Sequence, residues 1–111
     1  AAEMAYKLKK EEKCSMIVCL SHMGYKADSE EHVADFELAK QSKNIDLILG
    51  GHSHTLLSKP VTTYNSDNKQ VIITQNAYAG VRMSRVDCHF SSGGELIFVD
   101  AYTNNIFKKQ A

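Results

Sequence analysis

Residues 47–55 read LILGGHSHT, an aliphatic run followed by two glycines and by two histidines that are one residue apart. A short continuous aliphatic run predicts a β-strand that is buried on both faces. Gly50 and Gly51 remove two side chains at the end of this strand, where the backbone could turn sharply and another group could approach closely. Because His52 and His54 follow at once, this stretch predicts a functional site at the end of a buried strand.

The sequence before this stretch predicts a second strand and a helix. The apolar run SMIVCL at 15–20 has the pattern of another buried strand. Residues 27–43 have helical spacing of apolar residues, and Asp28 with Glu31 three positions later is typical of a helix N-cap. With the strand at 44–51, the order is strand, helix, strand, which predicts a parallel crossover unit.

The rest of the chain predicts one helix and two hairpins. Residues 2–13 are rich in helix-forming residues. Residues 60–75 contain two strand patterns around Asn-Ser-Asp-Asn, and residues 84–102 contain two more around Ser-Ser-Gly-Gly. We therefore expect an antiparallel second half, within a single α/β domain that comprises all of 1–111.

Composition excludes several classes of partner. The 111 residues carry 13 basic and 13 acidic side chains and no net charge, so no basic surface for a nucleic acid polymer or an anionic membrane is predicted. No apolar run approaches the roughly 20 residues that a membrane span requires. Three cysteines without C-x-x-C spacing predict free thiols and neither a disulfide framework nor a zinc knuckle: Cys14, Cys19 and Cys88.

Three histidines follow the two predicted parallel strands. His22 comes after the first strand, and His52 and His54 come after the second. Ligands of open α/β sheets collect beyond the carboxyl ends of parallel strands, so these imidazoles are expected to converge. In an extended chain, His52 and His54 would project to the same side with Cα atoms roughly 6.5 Å apart. This arrangement would suit two metal ions about 3.5–4 Å apart, and imidazole suits zinc, manganese or iron.

Other histidines have a structural interpretation. His32 lies on the predicted helix and His89 on a late strand, where single histidines are expected to be solvated or packed. Asp87-Cys88-His89 has the spacing D-x-H, but it lies on a strand whose alternate residues are expected to face the core: Val86, Cys88 and Phe90. We therefore do not assign this triplet to a metal site.

Residues 21–55, SHMGYKADSEEHVADFELAKQSKNIDLILGGHSHT, resemble the carboxyl-terminal half of the catalytic domain of calcineurin-like metallophosphoesterases. The similarity is to the 5'-nucleotidase branch, with its S-H-x-G, a helix containing D-x-x-L-A, and I-D-x-I-x-G-G-H-S-H-T. Residues 74–90, TQNAYAGVRMSRVDCHF, resemble the segment that follows in that branch, in which a turn of small residues leads into a strand. The resemblance extends over roughly residues 14–98.

The resemblance implies both a fold and a reaction. The fold would be part of the metallophosphoesterase sandwich, and the reaction would hydrolyse a phosphate ester such as a nucleotide to a nucleoside and phosphate. The parent protein would use two divalent metal ions, such as zinc or manganese. By the same resemblance, His22 and His52 would ligate one ion and His54 the other. Members of this branch act outside the cytoplasm, which implies a periplasmic or extracellular parent.

The family pattern also contains D-x-H, G-D-x-x and G-N-H-[DE] ahead of the position of His22, and residues 1–21 contain none of them. We therefore expect this chain to be an incomplete catalytic domain that is inactive alone, binds at most one ion weakly and self-associates as a homo-oligomer. Two alternatives stay open. One is a non-catalytic metal-binding or interaction module on the same scaffold, and the other is a mononuclear zinc protein that uses His22, His52 and His54.

Overall fold

The computed structural model describes residues 1–106. Helix α1 comprises Ala2–Tyr6 and continues as a π-helical segment, Lys7–Glu11, in agreement with the predicted first helix. Helix α2 comprises Asp35–Gln41. The six strands are β1 (Val18–Leu20), β2 (Leu47–Leu49), β3 (Val61–Tyr64), β4 (Gln70–Thr74), β5 (Arg82–Phe90) and β6 (Leu96–Asn105).

The main sheet has four strands in the order β1-β2-β4-β3. β1 is parallel to β2, which confirms the predicted crossover unit, and β3 forms the predicted antiparallel hairpin with β4. The second half was expected to be antiparallel throughout. It differs in one pairing, because β4 also pairs with β2 in parallel. Leu20, Leu49 and Thr74 therefore lie in one row, at the carboxyl ends of three parallel strands.

One face of this sheet packs against both helices. Cys19, Ile48 and Ile73 occupy one row across β1, β2 and β4, and Ile48 and Ile73 are fully buried. The apolar cluster on this face joins strand residues to one residue from each helix, and its buried members are Ala5, Ile17, Ala39, Ile45, Ile48, Leu57, Val71 and Ile73. This cluster is the main core of the described chain.

The opposite face of the main sheet is covered only in part. Leu47 and Ile72 are buried there, and the Thr74 hydroxyl lies 2.6 Å from the Ser84 hydroxyl of β5. On β1, however, Val18 and Leu20 are exposed, and 81% of the Leu20 surface is accessible. The prediction of burial on both faces is therefore confirmed for β2 but wrong for β1. β1 is an edge strand, and β5 does not cover Val18 and Leu20.

Helix α2 begins at Asp35, and not near Asp28 as the N-cap pattern predicted. Groups in the predicted cap region have other partners. The Asp28 carboxylate pairs with the His32 ring at 2.9 Å, and the Ala27 N–H donates to the Glu37 carboxylate at 3.1 Å. Because these contacts stabilise a loop, the chain enters the helix only after Ala34.

Strands β5 and β6 form the predicted second hairpin around Ser-Ser-Gly-Gly. Its turn is closed by the Ser91 N–H, which donates to the Glu95 carbonyl at 2.8 Å. Val86 and Cys88 are half-buried, but the expectation that Phe90 faces the core is wrong. A register shift between His89 and Phe90 breaks the alternation of the strand, and 45% of Phe90 is exposed.

Two expectations from composition can be compared with the described residues. Cys14, Cys19 and Cys88 are free and half-buried, which confirms the prediction of unpaired thiols. Within residues 1–106, no helix has the length and apolar character that a bilayer span requires.

The core predicts a large difference between two isoleucines. Ile48 is fully buried on β2, whereas Ile97 on β6 is 61% exposed. Ile48→Ala is expected to lower the free energy of unfolding by about 2–5 kcal/mol, because it removes buried methyl groups and leaves a cavity. The matched Ile97→Ala should change it by about 0.5 kcal/mol or less. Urea unfolding followed by circular dichroism measures both, and equal losses would contradict this arrangement of the core.

Candidate functional site

Three loops leave the main sheet at one edge, after β1, β2 and β4, and the first two are joined by hydrogen bonds. The first loop, residues 21–25, follows β1, and the histidine loop, residues 50–55, follows β2. The Gly24 N–H donates to the Gly51 carbonyl at 3.0 Å, and the Tyr25 N–H donates to the Ser53 hydroxyl at 3.1 Å. The first loop is therefore fixed against the histidine loop.

The two glycines of the histidine loop are required by close contacts. A Cβ atom on Gly51 would lie 2.9 Å from Nδ1 of His22, and a Cβ atom on Gly50 would overlap Oδ2 of Asp35. Neither neighbour could remain in place beside an added side chain. The structure thus supports the close approach that the sequence predicted for this pair of glycines.

Two residues of the histidine loop, His52 and His54, have a left-handed backbone conformation. His52 has φ +82° and His54 has φ +54°, a region that non-glycine residues enter at a cost of about 1–3 kcal/mol each. The expectation that this stretch is extended, with both imidazoles on the same side, is therefore wrong. The chain turns at each histidine because the loop is hydrogen-bonded to its neighbours and does not continue β2. Strained residues of this kind cluster at functional sites.

The structure brings together two of the three predicted ligands. The rings of His22 and His52 meet edge to face, with centroids 5.3 Å apart. The His54 ring instead lies against Tyr78, with centroids 5.5 Å apart. All three imidazoles are exposed to solvent. Among residues 1–106, no group of three or more His, Cys, Asp or Glu side chains is placed to hold a metal ion.

A buried carboxyl group lies at the start of the first loop and of the histidine loop. Asp35 is fully buried at the start of α2, where its Oδ1 accepts a hydrogen bond from the Ser21 hydroxyl, next to His22. Its Oδ2 has no partner among the described residues. Burial raises the pKa of the Asp35 carboxyl above its ordinary value. The sequence placed Asp35 in the D-x-x-L-A pattern but gave no reason to assign it a role.

A buried amide supports the histidine loop from the other side. Gln75, only 2% exposed, follows the last residue of β4. With its carbonyl oxygen towards the loop, it accepts hydrogen bonds from the N–H groups of Thr55 at 2.8 Å and His54 at 3.2 Å. The sequence pattern did not point to Gln75, because β4 was expected to belong to a separate antiparallel half and instead pairs with β2 in parallel. The available signal was a glutamine directly after the buried strand VIIT.

The remaining histidines have structural partners. The Nε2–H group of His32 donates to the Met23 carbonyl at 3.0 Å, and its Nδ1 pairs with the Asp28 carboxylate at 2.9 Å. The hydrogen bond to Asp28 raises the pKa of His32. His89 stacks on Phe98 with centroids 4.0 Å apart and does not join the site. These contacts agree with the structural interpretation of both residues.

The arrangement of His22 and His52 fits a metal ligand pair in its chemistry. Both rings are exposed at the carboxyl edge of neighbouring parallel strands, which is where ligands of such sheets bind. Neutral imidazole suits zinc and related transition metals. The close packing of His22 against Gly51 restricts the position of one ring relative to the other. A metal site needs further ligands besides these two imidazoles.

No family model matches the chain, but comparisons with known proteins found similar sequences. The trifunctional nucleotide phosphoesterase protein YfkN of Bacillus subtilis (strain 168) is 39% identical over 87 residues, which are 78% of this chain and 5% of that protein. Protein 5NUC of Lutzomyia longipalpis is 33% identical over 87 residues, 76% of this chain and 14% of that protein.

A solved structure shares the fold. The 5'-nucleotidase precursor from Thermus thermophilus superposes with a TM-score of 0.76 at 28% identity, covering 93% of this chain and 21% of that one. The chain is thus an α/β segment of a kind found in nucleotide phosphoesterases. Its resemblance to the 5'-nucleotidase branch is confirmed. It spans less than a quarter of the length of each of these relatives.

The close contacts predict that Gly50 tolerates no side chain. Gly50→Ala is expected to lower the free energy of unfolding by about 1–3 kcal/mol, because its methyl group would displace the buried Asp35 carboxyl. Gly93→Ala is the matched control, since a methyl group there meets only the Ser91 hydroxyl at 3.7 Å. It should change the free energy by about 1 kcal/mol or less. Urea denaturation measures both, and a neutral Gly50→Ala would contradict the close packing of this turn.

Proposed function

We propose that this chain is the carboxyl-terminal half of the catalytic domain of a 5'-nucleotidase-like phosphohydrolase. The parent protein would hydrolyse a nucleotide to a nucleoside and phosphate. The contact between His22 and His52 at the ends of two parallel strands is the observation that carries the proposal. The tight glycine turn that brings the two rings together supports it. The names of the relatives, a nucleotide phosphoesterase and a 5'-nucleotidase precursor, support the substrate class.

The histidines would hold divalent ions in the parent protein. His22 and His52 would bind one ion, of zinc, manganese or a similar metal, and His54 would belong to the second. Divalent ions in such a site neutralise the charge of phosphoryl oxygens and activate water for attack on phosphorus. The chain itself would place the imidazoles and exclude bulky groups at Gly50 and Gly51. Alone, it would bind at most one ion weakly, because its described residues supply no third ligand beside His22 and His52.

We further propose that the parent acts outside the cytoplasm, as the 5'-nucleotidase branch does. The name of the Thermus thermophilus relative describes a precursor, which supports processing of that protein. The free thiols Cys14, Cys19 and Cys88 would also suit a reducing compartment, so localisation of the full-length protein is the test of this proposal.

A non-catalytic metal-binding module is the second candidate. It is favoured by one observation, that His54 lies against Tyr78 and not beside the other two histidines. In such a module the pair His22 and His52 would bind an ion without any reaction at phosphorus. Ion binding without phosphoesterase activity in the full-length protein would support this alternative.

Hydrolysis by the full-length protein tests the proposed function. AMP hydrolysis should depend on added zinc or manganese and should fall by two or more orders of magnitude in His22→Ala and His52→Ala, because metal ligands are lost. His32→Ala is the control and should retain activity, since this histidine bonds within its own loop. The isolated chain should show negligible turnover of AMP. Full activity in His52→Ala would contradict the proposal.

We also propose that the isolated chain self-associates through the uncovered part of its main sheet. Val18 and Leu20 lie on the exposed face of β1, which pairs with β2 on one side only. An exposed apolar face beside an open strand edge promotes pairing with another copy.

The mass of the chain in solution tests this association. Light scattering after size-exclusion chromatography should give a mass near twice that of the 12.4 kDa chain, falling on dilution. Leu20→Lys should shift it to the monomer, because a charged side chain at this edge opposes pairing. Leu56→Lys is the matched control at another exposed leucine and should leave the dimer intact. A wild-type mass of a monomer at all concentrations would exclude self-association.

A further inference from the structure

We propose that Gln75 is a positioning residue, whose buried carboxamide fixes the left-handed backbone of the histidine loop and so the placement of its imidazoles. The hydrogen bonds of Gln75 are independent of the proposed function, and only the consequence for metal binding rests on it. The geometry that points to Gln75 comprises its burial, its partners in the loop and its place beside Asp35.

Gln75 reaches the histidine loop because β4 is parallel to β2. Thr74 is the register partner of Leu49, so Gln75 follows β4 at the level where Gly50 follows β2. The Gly50 N–H also donates to the Thr74 carbonyl at 2.9 Å. From this position the Gln75 side chain passes beneath the loop and does not extend into solvent.

The carbonyl oxygen of Gln75 satisfies three donors of one turn. These are the N–H groups of His54 at 3.2 Å and Thr55 at 2.8 Å, and the Ser53 hydroxyl at 2.9 Å. In the opposite orientation, the amide nitrogen would face the two N–H donors, and both backbone groups would lose their acceptor. The backbone of Gln75 adds a further link, since its carbonyl accepts from the Leu57 N–H at 3.1 Å.

These hydrogen bonds offset the strain at His54. With φ +54°, this residue has a conformation that glycine or asparagine would adopt more easily. Consecutive N–H groups that share one buried acceptor hold the turn in this form, since relaxation to an extended backbone would break both bonds. The Gln75 carboxamide therefore selects the direction in which the histidine loop leaves β2.

The neighbouring carboxyl group explains why a neutral acceptor occupies this position. A Cβ atom added to Gly50 would overlap Oδ2 of Asp35 and would lie 3.5 Å from the terminal amide of Gln75. The two buried side chains are thus close to each other. Asp35 stabilises the first loop by accepting a hydrogen bond from the Ser21 hydroxyl. A second carboxylate at Gln75 would add a like charge in a buried environment, whereas a carboxamide supplies the same oxygen without charge.

The test compares Gln75→Met, directly after β4, with Gln70→Met at the start of β4. Methionine preserves length and apolar volume but removes the acceptor, and Gln70 is the matched control because it is exposed. In Gln75→Met, amide hydrogen exchange at His54 and Thr55 should accelerate by roughly an order of magnitude. Exchange at the core residues Ile48 and Ile73 should be unchanged, which shows that the fold is intact. Zinc affinity, measured by competition with a chromogenic chelator, should fall about 10- to 100-fold.

A swapped pair keeps the proposal testable if Gln75→Met does not fold. The double variant Gln75→Glu with Asp35→Asn exchanges the carboxyl and the carboxamide, so each position keeps an oxygen acceptor and only one can ionise. Protection of the His54 and Thr55 amides should be retained in this double variant. The single variant Gln75→Glu should lose it, because two carboxyl groups then lie side by side.

Each outcome decides one part of the proposal. Unchanged exchange at His54 and Thr55 in folded Gln75→Met would overturn it, and so would loss of protection in the swapped pair. Faster exchange with unchanged zinc affinity would restrict Gln75 to a structural role and overturn the positioning role. If the wild-type chain binds no zinc, the metal-binding part of the proposed function fails. The exchange data would still establish whether Gln75 fixes the histidine loop.

Discussion

The parallel register of β1, β2 and β4 is the constraint on which the rest of the site depends. Leu20, Leu49 and Thr74 lie in one row, so the chain leaves all three strands at the same edge. A slip of one residue in any of these pairings would turn every side chain of that strand to the other face. The row of Cys19, Ile48 and Ile73, in which both isoleucines are fully buried, opposes such a slip. Packing of the core thus determines where the three loops meet.

In the histidine loop, the residues that leave space for neighbouring side chains differ from the residues that have a strained backbone. Gly50 and Gly51 provide space for Asp35 and His22, while the left-handed conformation falls on His52 and His54. A histidine could not occupy either glycine position, because its Cβ atom would clash with Asp35 or His22. Conversely, the strain at the histidines persists because surrounding hydrogen bonds determine the path of the loop. Placement of the imidazoles is therefore a property of the whole edge.

Local patterns in the sequence predicted a large part of this arrangement. The aliphatic runs before His22 and Gly50 indicated two parallel strands, and the glycine pair indicated a close approach. Three features depended on a choice between partners that the local sequence patterns do not specify. β4 pairs with β2, although the other apolar strands have a similar sequence pattern. The Asp28 carboxylate pairs with the His32 ring and does not cap a helix. The conformation of the histidine loop depends on an acceptor that lies about twenty residues further along the chain.

The pairing of β4 with β2 also has a consequence for the order of folding. Leu47 and Ile72 are register partners separated by 25 positions, whereas the hairpin of β3 and β4 closes through the short turn at Asn65. Local hairpins form quickly, and parallel pairing over such a distance forms later because loop closure costs entropy first. The hairpin can thus exist before β4 docks on β2. The turn at His54 gains its acceptor only with that docking, so folding of the histidine edge is complete only after β4 has paired with β2.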